Sequence, residues 1–272
     1  MRPIKKVALI HDICSIGKAS LTNMMPILGK MGVESCPIPT MLLSTHTGGY
    51  GTPALHRIPG EYLRATADHY KDQKIIFDLI FVGYVGSKEL LEDVIYFIET
   101  FPETKVVVDP IMGDQGKLYS LFSEDYPEAL VKLLPYADVI LPNLTEAYLM
   151  AGEEYKVPSD HRQILPICEK LTELGAKNLI ITSVPKDDCN KGMILYENHA
   201  FLYIGNGEEQ GEYHGAGDAF DGMFIGKYLQ GYSLLESVQA AHAFVCACIR
   251  ESEKYEYPER EGLLIETTLN KL

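Results

Sequence analysis

The chain has 272 residues, 46% hydrophobic and 23% charged, enough length and apolar content for a large α/β core. Lys+Arg 24 against Asp+Glu 38 gives a net charge of −14, which argues against a nucleic-acid or anionic-membrane surface; a phosphate ligand would need local help from backbone amides, a metal or a few lysines. The six cysteines (14, 36, 168, 189, 246 and 248) show no CxxC spacing, the N-terminal apolar run is too short for a signal peptide, and no run reaches membrane-spanning length, so a cytoplasmic protein with reduced thiols and no membrane partner is expected.

Residues 4–10 form a short β-rich run, followed by a polar turn holding Asp12, Ser15 and Gly17. A helical pattern passes through Leu21, Met24, Met25, Leu28 and Met31, then a strand-like segment covers 33–40. The loop at 43–51 carries three glycines and four Ser/Thr/His side chains, including His46 and Thr47, a composition suited to ligand contacts. Alternation then predicts helices at 60–73 and 87–100, strands at 78–83 and 105–108, a helix at 125–134 and a strand at 137–141. Helices near 144–151 and 159–175 precede strands at 178–182, 192–196 and 200–204. Helices at 217–230 and 233–251 follow, with Met223, Phe224 and Tyr228 read as core. This alternation predicts a mostly parallel sheet covered on both faces, with antiparallel strands added at one edge by the pair at 192–204. No repeat or linker splits the chain, so a single domain over 1–272 is expected.

In such a sheet ligands bind beyond the carboxyl ends of the strands, and polar clusters fall there. Asp12 follows the first strand, Tyr84 the strand at 78–83, and Asp109–Asp114 the strand at 105–108. Asn143-Leu144-Thr145-Glu146 follows 137–141, and Thr182-Ser183 follows 178–182. Asp109, Asp114 and Glu146 are oxygen donors suited to Mg²⁺. Asn143 and Glu146 also have the spacing of a helix capping box, a reading compatible with metal work. Asp109 before Pro110 reads equally as a turn former. Thr182 and Ser183 suit phosphate oxygens or a turn cap; Lys186 and Lys191 follow in a loop and read first as solvated. Loops 41–53 and 184–191 are candidate covers.

The stretch His214-Gly215-Ala216-Gly217-Asp218 precedes a long apolar run. Its glycines flank a helix start whose amides can close on an anion, and Asp218 falls in the first turn, where the dipole favours a carboxylate. That pairing suits removal of a proton from a hydroxyl that attacks a phosphate. A Walker P-loop and a dinucleotide fingerprint are both absent.

Gly215-Ala216-Gly217-Asp218, Asn143-Leu144-Thr145-Glu146 and Asp109-Pro110-Ile111-Met112-Gly113-Asp114 together resemble the ribokinase-like superfamily. The loop Ser44–Gly48 and Gly83-Tyr84-Val85-Gly86-Ser87 bring the resemblance to the pyridoxal (vitamin B6) kinases within it, over about Ile10 to Ala247. The resemblance implies a three-layer α/β/α fold and transfer of the ATP γ-phosphoryl group to the 5′-hydroxyl of a B6 vitamer. It makes Asp218 the base and the amides of Gly215, Ala216 and Gly217 an anion hole. Asp109, Asp114 and Glu146 would organise Mg²⁺, and Asn143, Thr182 and Ser183 would meet ATP. Thr47 and Tyr84 would hold the pyridine ring, with His46 close by. Members are commonly homodimers, and some need K⁺. The chain departs from the familiar pattern with His11-Asp12 where a serine often stands, leaving Asp12 to pair with a protonated ring nitrogen, and with Ala216 in place of threonine. A hydroxymethylpyrimidine kinase is the nearest alternative, and a non-catalytic nucleotide- or vitamin-binding module is a further one.

Overall fold

Runs such as Val7–Ile10, Val106–Val108 and Leu179–Ile181 are apolar without alternation and almost completely buried, the signature of strands covered on both faces. A computed structural model describes residues 3–185, 191–205 and 213–271. Its strands are β1 (Lys5–Ile16), β2 (Val33–Thr45), β3 (Leu55–Arg57), β4 (Leu79–Val82), β5 (Lys105–Val108), β6 (Gly113–Asp114), β7 (Lys117–Leu118), β8 (Val139–Ile140), β9 (Asn178–Pro185), β10 (Lys191–Glu197) and β11 (Ala200–Ile204). The α-helices are α1 (Leu21–Lys30), α2 (Gly60–Asp72), α3 (Lys88–Thr100), α4 (Tyr126–Leu130), α5 (Leu144–Ala151), α6 (Leu165–Glu173), α7 (Ala216–Leu229), α8 (Leu234–Lys254) and α9 (Ile265–Leu269). The fold is α/β: a nine-stranded sheet in the order β11-β10-β9-β8-β5-β4-β1-β2-β3, with β6 and β7 as a separate hairpin. The pairs β1–β2, β5–β8 and β8–β9 are parallel, whereas β10 runs antiparallel to both β9 and β11 at one edge, as the 192–204 pair predicts.

The chain groups into two compact units. The first comprises Met1–Ile58, Ile76–Leu79 and Glu209–Leu272. In it α7 is buried along most of its length, which explains why its sequence shows no polar stripe. Gly222 lies against Met24 and Ile27 of α1, and a methyl group at Gly226 would run into the Met31 sulfur, so small residues let the two helices approach. Met223 and Phe224 are core, as expected.

The second unit comprises Pro59–Ile75 and Ile80–Glu208. Two of its helices start where side chains satisfy the first amides: Ser87 accepts from Leu90 N–H at α3, and Asn143 with Glu146 forms the expected capping box at α5. Loss of either cap costs about 1 kcal/mol.

Two strands run further than their local pattern. β1 continues through Asp12 to Ile16 because parallel pairing with β2 persists to Ile16↔Thr45, so Asp12 lies inside a strand and the expected turn begins only at Gly17. Between His11 and Ile13 the register shifts: two steps on β1 face three on β2, an irregularity that re-aims side chains. Likewise Thr182 and Ser183 lie within β9 and not beyond it, at a bulge where three steps on β9 face two on β10. Ser183 has φ 59°, the left-handed geometry such bulges use.

Cys14, Cys36, Cys168, Cys246 and Cys248 are free thiols, and Cys189 lies outside the described residues, as does Lys186 with most of loop 184–191. Among the described residues no helix is long and apolar enough to cross a membrane.

Candidate active site

In the first unit, Gly215 caps α7 at φ 77°, and a methyl group there would overlap the Lys18 carbonyl oxygen. The close approach is fixed by Asn23, a fully buried side chain on the apolar face of α1, whose Nδ2 donates to the carbonyls of Gly215 and Lys18 at 2.8 Å each. Ala216 N–H turns back to the Tyr213 carbonyl at 3.3 Å. Helix geometry leaves the next amides, those of Gly217 and Asp218, without an intrahelical acceptor, so of the three amides expected to face an anion these two are left open. Among the described residues nothing lies within 4 Å of where a Gly217 side chain would begin, which leaves room above them.

Asp218 is held at both oxygens: Oδ2 accepts Ser20 N–H at 2.7 Å, and Oδ1 lies 3.0 Å from His11 Nε2. Ser20 takes φ 59° and ψ −142°, a backbone state nearly reserved for glycine, and so aims its amide at the carboxylate. A carboxylate carries about four lone-pair sites, so Asp218 keeps capacity for an alcohol proton.

His11 is 1% exposed and sits between two carboxylates, with Nδ1 2.8 Å from Asp12 Oδ1 and Nε2 3.0 Å from Asp218 Oδ1. Asp12 N–H also lies 2.9 Å from Nδ1, but one nitrogen cannot accept that proton and donate to Oδ1. With a carboxylate at each end, the imidazolium that donates twice is the consistent form. Burial alone lowers the His11 pKa; hydrogen bonds and charge from Asp12 and then Asp218 outweigh it and push it up to about 10. The folded protein thus holds this proton more tightly than the unfolded chain, where histidine titrates near about 6.5. The resulting stability is complete below the unfolded value and drains away as pH rises from there through the folded one. The expected slope is at most about 1.4 kcal/mol per pH unit, one proton's worth. Denaturant midpoints of wild type and His11→Gln across this window check it: the wild type should lose stability more steeply.

The 43–51 loop splits into a structural and an exposed residue. His46 is buried, with Nε2 donating to the Arg260 carbonyl at 2.7 Å and Nδ1 accepting Gly48 N–H at 3.0 Å, so its nitrogens fix the loop. Its ring lies 4.4 Å from that of His214, whose pKa is lowered by burial and then by His46. Thr47 beside it is exposed.

In the second unit, Asp109 directly follows β5 and Glu146 lies in the first turn of α5, 3% exposed. Glu146 accepts Asn143 N–H at 2.8 Å and Met112 N–H at 3.1 Å. Burial, and then the Asp109 charge, push its carboxyl well above the usual range. A buried carboxyl raised by a neighbouring carboxylate fits a dication, which would relieve both effects. Asp114 stands apart from that pair: it is exposed, opens the hairpin turn Asp114-Gln115-Gly116-Lys117, and accepts Gln115 N–H at 2.8 Å. Gln115 and Gly116 have φ 50° and 77°, the pattern of a type I′ turn. Among the described residues no three His, Cys, Asp or Glu side chains gather as a metal cage, so Asp109, Asp114 and Glu146 do not form one. Asn143 engages its side chain locally, donating to the Gly113 carbonyl at 2.8 Å and accepting Glu146 N–H at 3.0 Å. Thr182 N–H donates to the Pro142 carbonyl at 2.9 Å, tying the β9 bulge to the start of α5. Tyr84 follows β4 and packs its ring 5.3 Å from Phe122, which stacks on Tyr126 at 4.1 Å.

His11, Ser20 and Asn23, which hold Asp218 and the start of α7, are residues of this site that the sequence did not single out. A histidine beside an aspartate at the end of an apolar run, and an asparagine on an apolar helix face, were the available signals for two of them; Ser20 acts through its backbone and left none.

The model of the family described as phosphomethylpyrimidine kinase matches residues 27–261. A Bacteroides thetaiotaomicron protein described as a phosphomethylpyrimidine kinase and crystallised with pyridoxal is 35% identical, with a TM-score of 0.91 over 98% of this chain and 95% of its own. The pyridoxal kinase of Lactobacillus plantarum is 31% identical, with a TM-score of 0.89 over 98% and 96%. The hydroxymethylpyrimidine/phosphomethylpyrimidine kinase of Haemophilus influenzae is 26% identical over 92% of each chain. With this fold and these relatives, the chain belongs to the phosphomethylpyrimidine kinase family of phosphotransferases, within the ribokinase-like superfamily that also holds the pyridoxal kinases.

Proposed function

We propose that the protein is an ATP-dependent kinase that phosphorylates the 5′-hydroxyl of pyridoxal, pyridoxamine or pyridoxine. The observation that carries this reading is Asp218, fixed at both oxygens beside the open start of α7. The relative crystallised with pyridoxal supports the choice of acceptor. Asp218 takes the alcohol proton as the oxygen attacks the γ-phosphorus, and the amides of Gly217 and Asp218 face the charge gathering on the phosphoryl oxygens. Asp12 meets the pyridine nitrogen, with Thr47 and Tyr84 holding the ring. Thr182 and Ser183, lifted by their bulge, and Asn143 meet ATP.

Mg²⁺, held by Asp109 and Glu146 together with phosphate oxygens and water, would supply charge neutralisation. Glu146→Gln keeps a capping-box partner for Asn143 N–H but gives up one acceptor. It should raise the Mg²⁺ concentration needed for half-maximal turnover; a titration curve identical to wild type counts against the role. A reducing cytoplasmic setting and a homodimer belong to the same reading, the latter open to light scattering, and K⁺ dependence to salt exchange.

The second reading, a hydroxymethylpyrimidine kinase, is favoured by the family model and the Haemophilus influenzae relative. ATP consumption with pyridoxal, pyridoxamine and hydroxymethylpyrimidine side by side tests both. The largest kcat/KM on a B6 vitamer supports the first reading, the largest on the pyrimidine supports the second, and turnover of none leaves a binding module.

A further inference from the structure

Asp12 and Asp218 have different tasks in the proposed reaction, yet one buried side chain joins them. His11 reaches Asp12 Oδ1 from Nδ1 at 2.8 Å and Asp218 Oδ1 from Nε2 at 3.0 Å. Both carboxylates keep an oxygen outside this bridge: Asp218 Oδ2 takes Ser20 N–H, and among the described residues Asp12 Oδ2 makes no hydrogen bond. The bridge links β1 to the first turn of α7 across 207 residues of sequence. It sits where the β1 register is shifted against β2, so neighbouring side chains leave simple alternation.

We infer that His11 is a positioning residue that couples the ring-binding carboxylate Asp12 to the base Asp218, so that seating the vitamer ring sets the base. The inference rests on the kinase reading above. The charged and titratable groups facing the bridge within this unit include Asp12 and the Cys14 thiol on β1 and Asp218 on α7; burial and then the Asp12 charge push the thiol up to about 12, so it stays neutral. The bridge itself joins one imidazolium to two carboxylates, and His11 keeps the pair of carboxylates from repelling each other apart.

The two ring nitrogens can be replaced one at a time. An asparagine amide nitrogen falls near the place of Nδ1, and a glutamine amide nitrogen near that of Nε2. His11→Asn keeps the donor to Asp12 and loses the one to Asp218; its kcat should fall about 10- to 100-fold with the vitamer KM little changed. His11→Gln keeps the donor to Asp218 and frees Asp12; its vitamer KM should rise about 10-fold while kcat falls less than in His11→Asn. Steady-state kinetics with pyridoxal and saturating Mg²⁺-ATP read this split. Equal losses of kcat in both variants at unchanged KM overturn the coupling and leave a structural histidine.

If either variant does not fold, NMR of the imidazole nitrogens in the wild-type protein decides. Adding pyridoxal without nucleotide should move both His11 ring-nitrogen signals; signals that stay in place overturn the inference. Wild-type turnover of none of the alcohols is a separate result: it fails the kinase reading and the inference with it, whereas an active wild type without the split fails the inference alone.

Discussion

Asp218→Asn is expected to lower kcat with pyridoxal and Mg²⁺-ATP by about 10²- to 10⁴-fold, the usual worth of a positioned general base. The variant keeps an oxygen for Ser20 N–H but cannot offer an anionic acceptor to His11 as well. A buried imidazolium that loses its only partner costs about 3–5 kcal/mol. Here Asp12 remains, and Asp218 is 12% exposed, so a loss of about 1–2 kcal/mol in folding stability is the expectation. Asp218→Ala should lose more, because the Ser20 backbone then keeps its glycine-like geometry without the carboxylate that holds it. Calorimetric binding of a non-hydrolysable ATP analogue separates the causes. A crippled kcat with nucleotide affinity within a few fold of wild type is the result a missing base gives. Unchanged turnover would sink the assignment, and parallel loss of affinity and turnover would mean that the start of α7 had collapsed.

What could be read from the sequence divides along the range of the interactions involved. The α5 capping box was readable because its partners are three residues apart, and the helices at 60–73 and 87–100 because their apolar period repeats locally. The end of β1 was not readable: Asp12 and Ser15 look like a turn until β2 pairs alongside them, and that pairing comes from residues 33–45. Asp114 shows the opposite limit, a local turn that the run did not reveal. In the run Asp109–Asp114 two aspartates looked like two ligands, but the second is followed by Gln115-Gly116 in left-handed geometry and belongs to a hairpin. Local pattern puts Thr182 and Ser183 at a strand end, whereas they sit in a bulge inside β9, Thr182 half-buried and Ser183 exposed. The residues around Asp218 were the least accessible, since His11, Ser20 and Asn23 reach it or its helix start from about 190 to 210 positions away.

Gly215 and Gly217 look alike in the sequence, but their replacement by alanine should separate folding from catalysis. At Gly215 alanine must adopt φ 77°, which costs a side chain about 1–2 kcal/mol, and its methyl group meets the Lys18 carbonyl oxygen. That oxygen cannot yield cheaply, because Asn23 binds it and the Gly215 carbonyl together. A total loss above about 3 kcal/mol is expected, seen as a lowered thermal midpoint, with turnover falling because the first turn carrying Asp218 shifts. At Gly217 the backbone is helical, and among the described residues nothing lies within 4 Å of the new methyl group. Alanine is the better helix former by about 1 kcal/mol, so Gly217→Ala should raise the thermal midpoint. Its methyl group would nevertheless fill the space above the amides that the moving phosphoryl group must use, so kcat should fall by about 10-fold or more. A more stable protein with lower turnover is the result that obstruction of a ligand gives, since among the described residues nothing lies within 4 Å of the methyl group. A Gly217→Ala variant with wild-type kcat would therefore remove the phosphoryl group from the start of α7, and with it the reason for placing the base at Asp218.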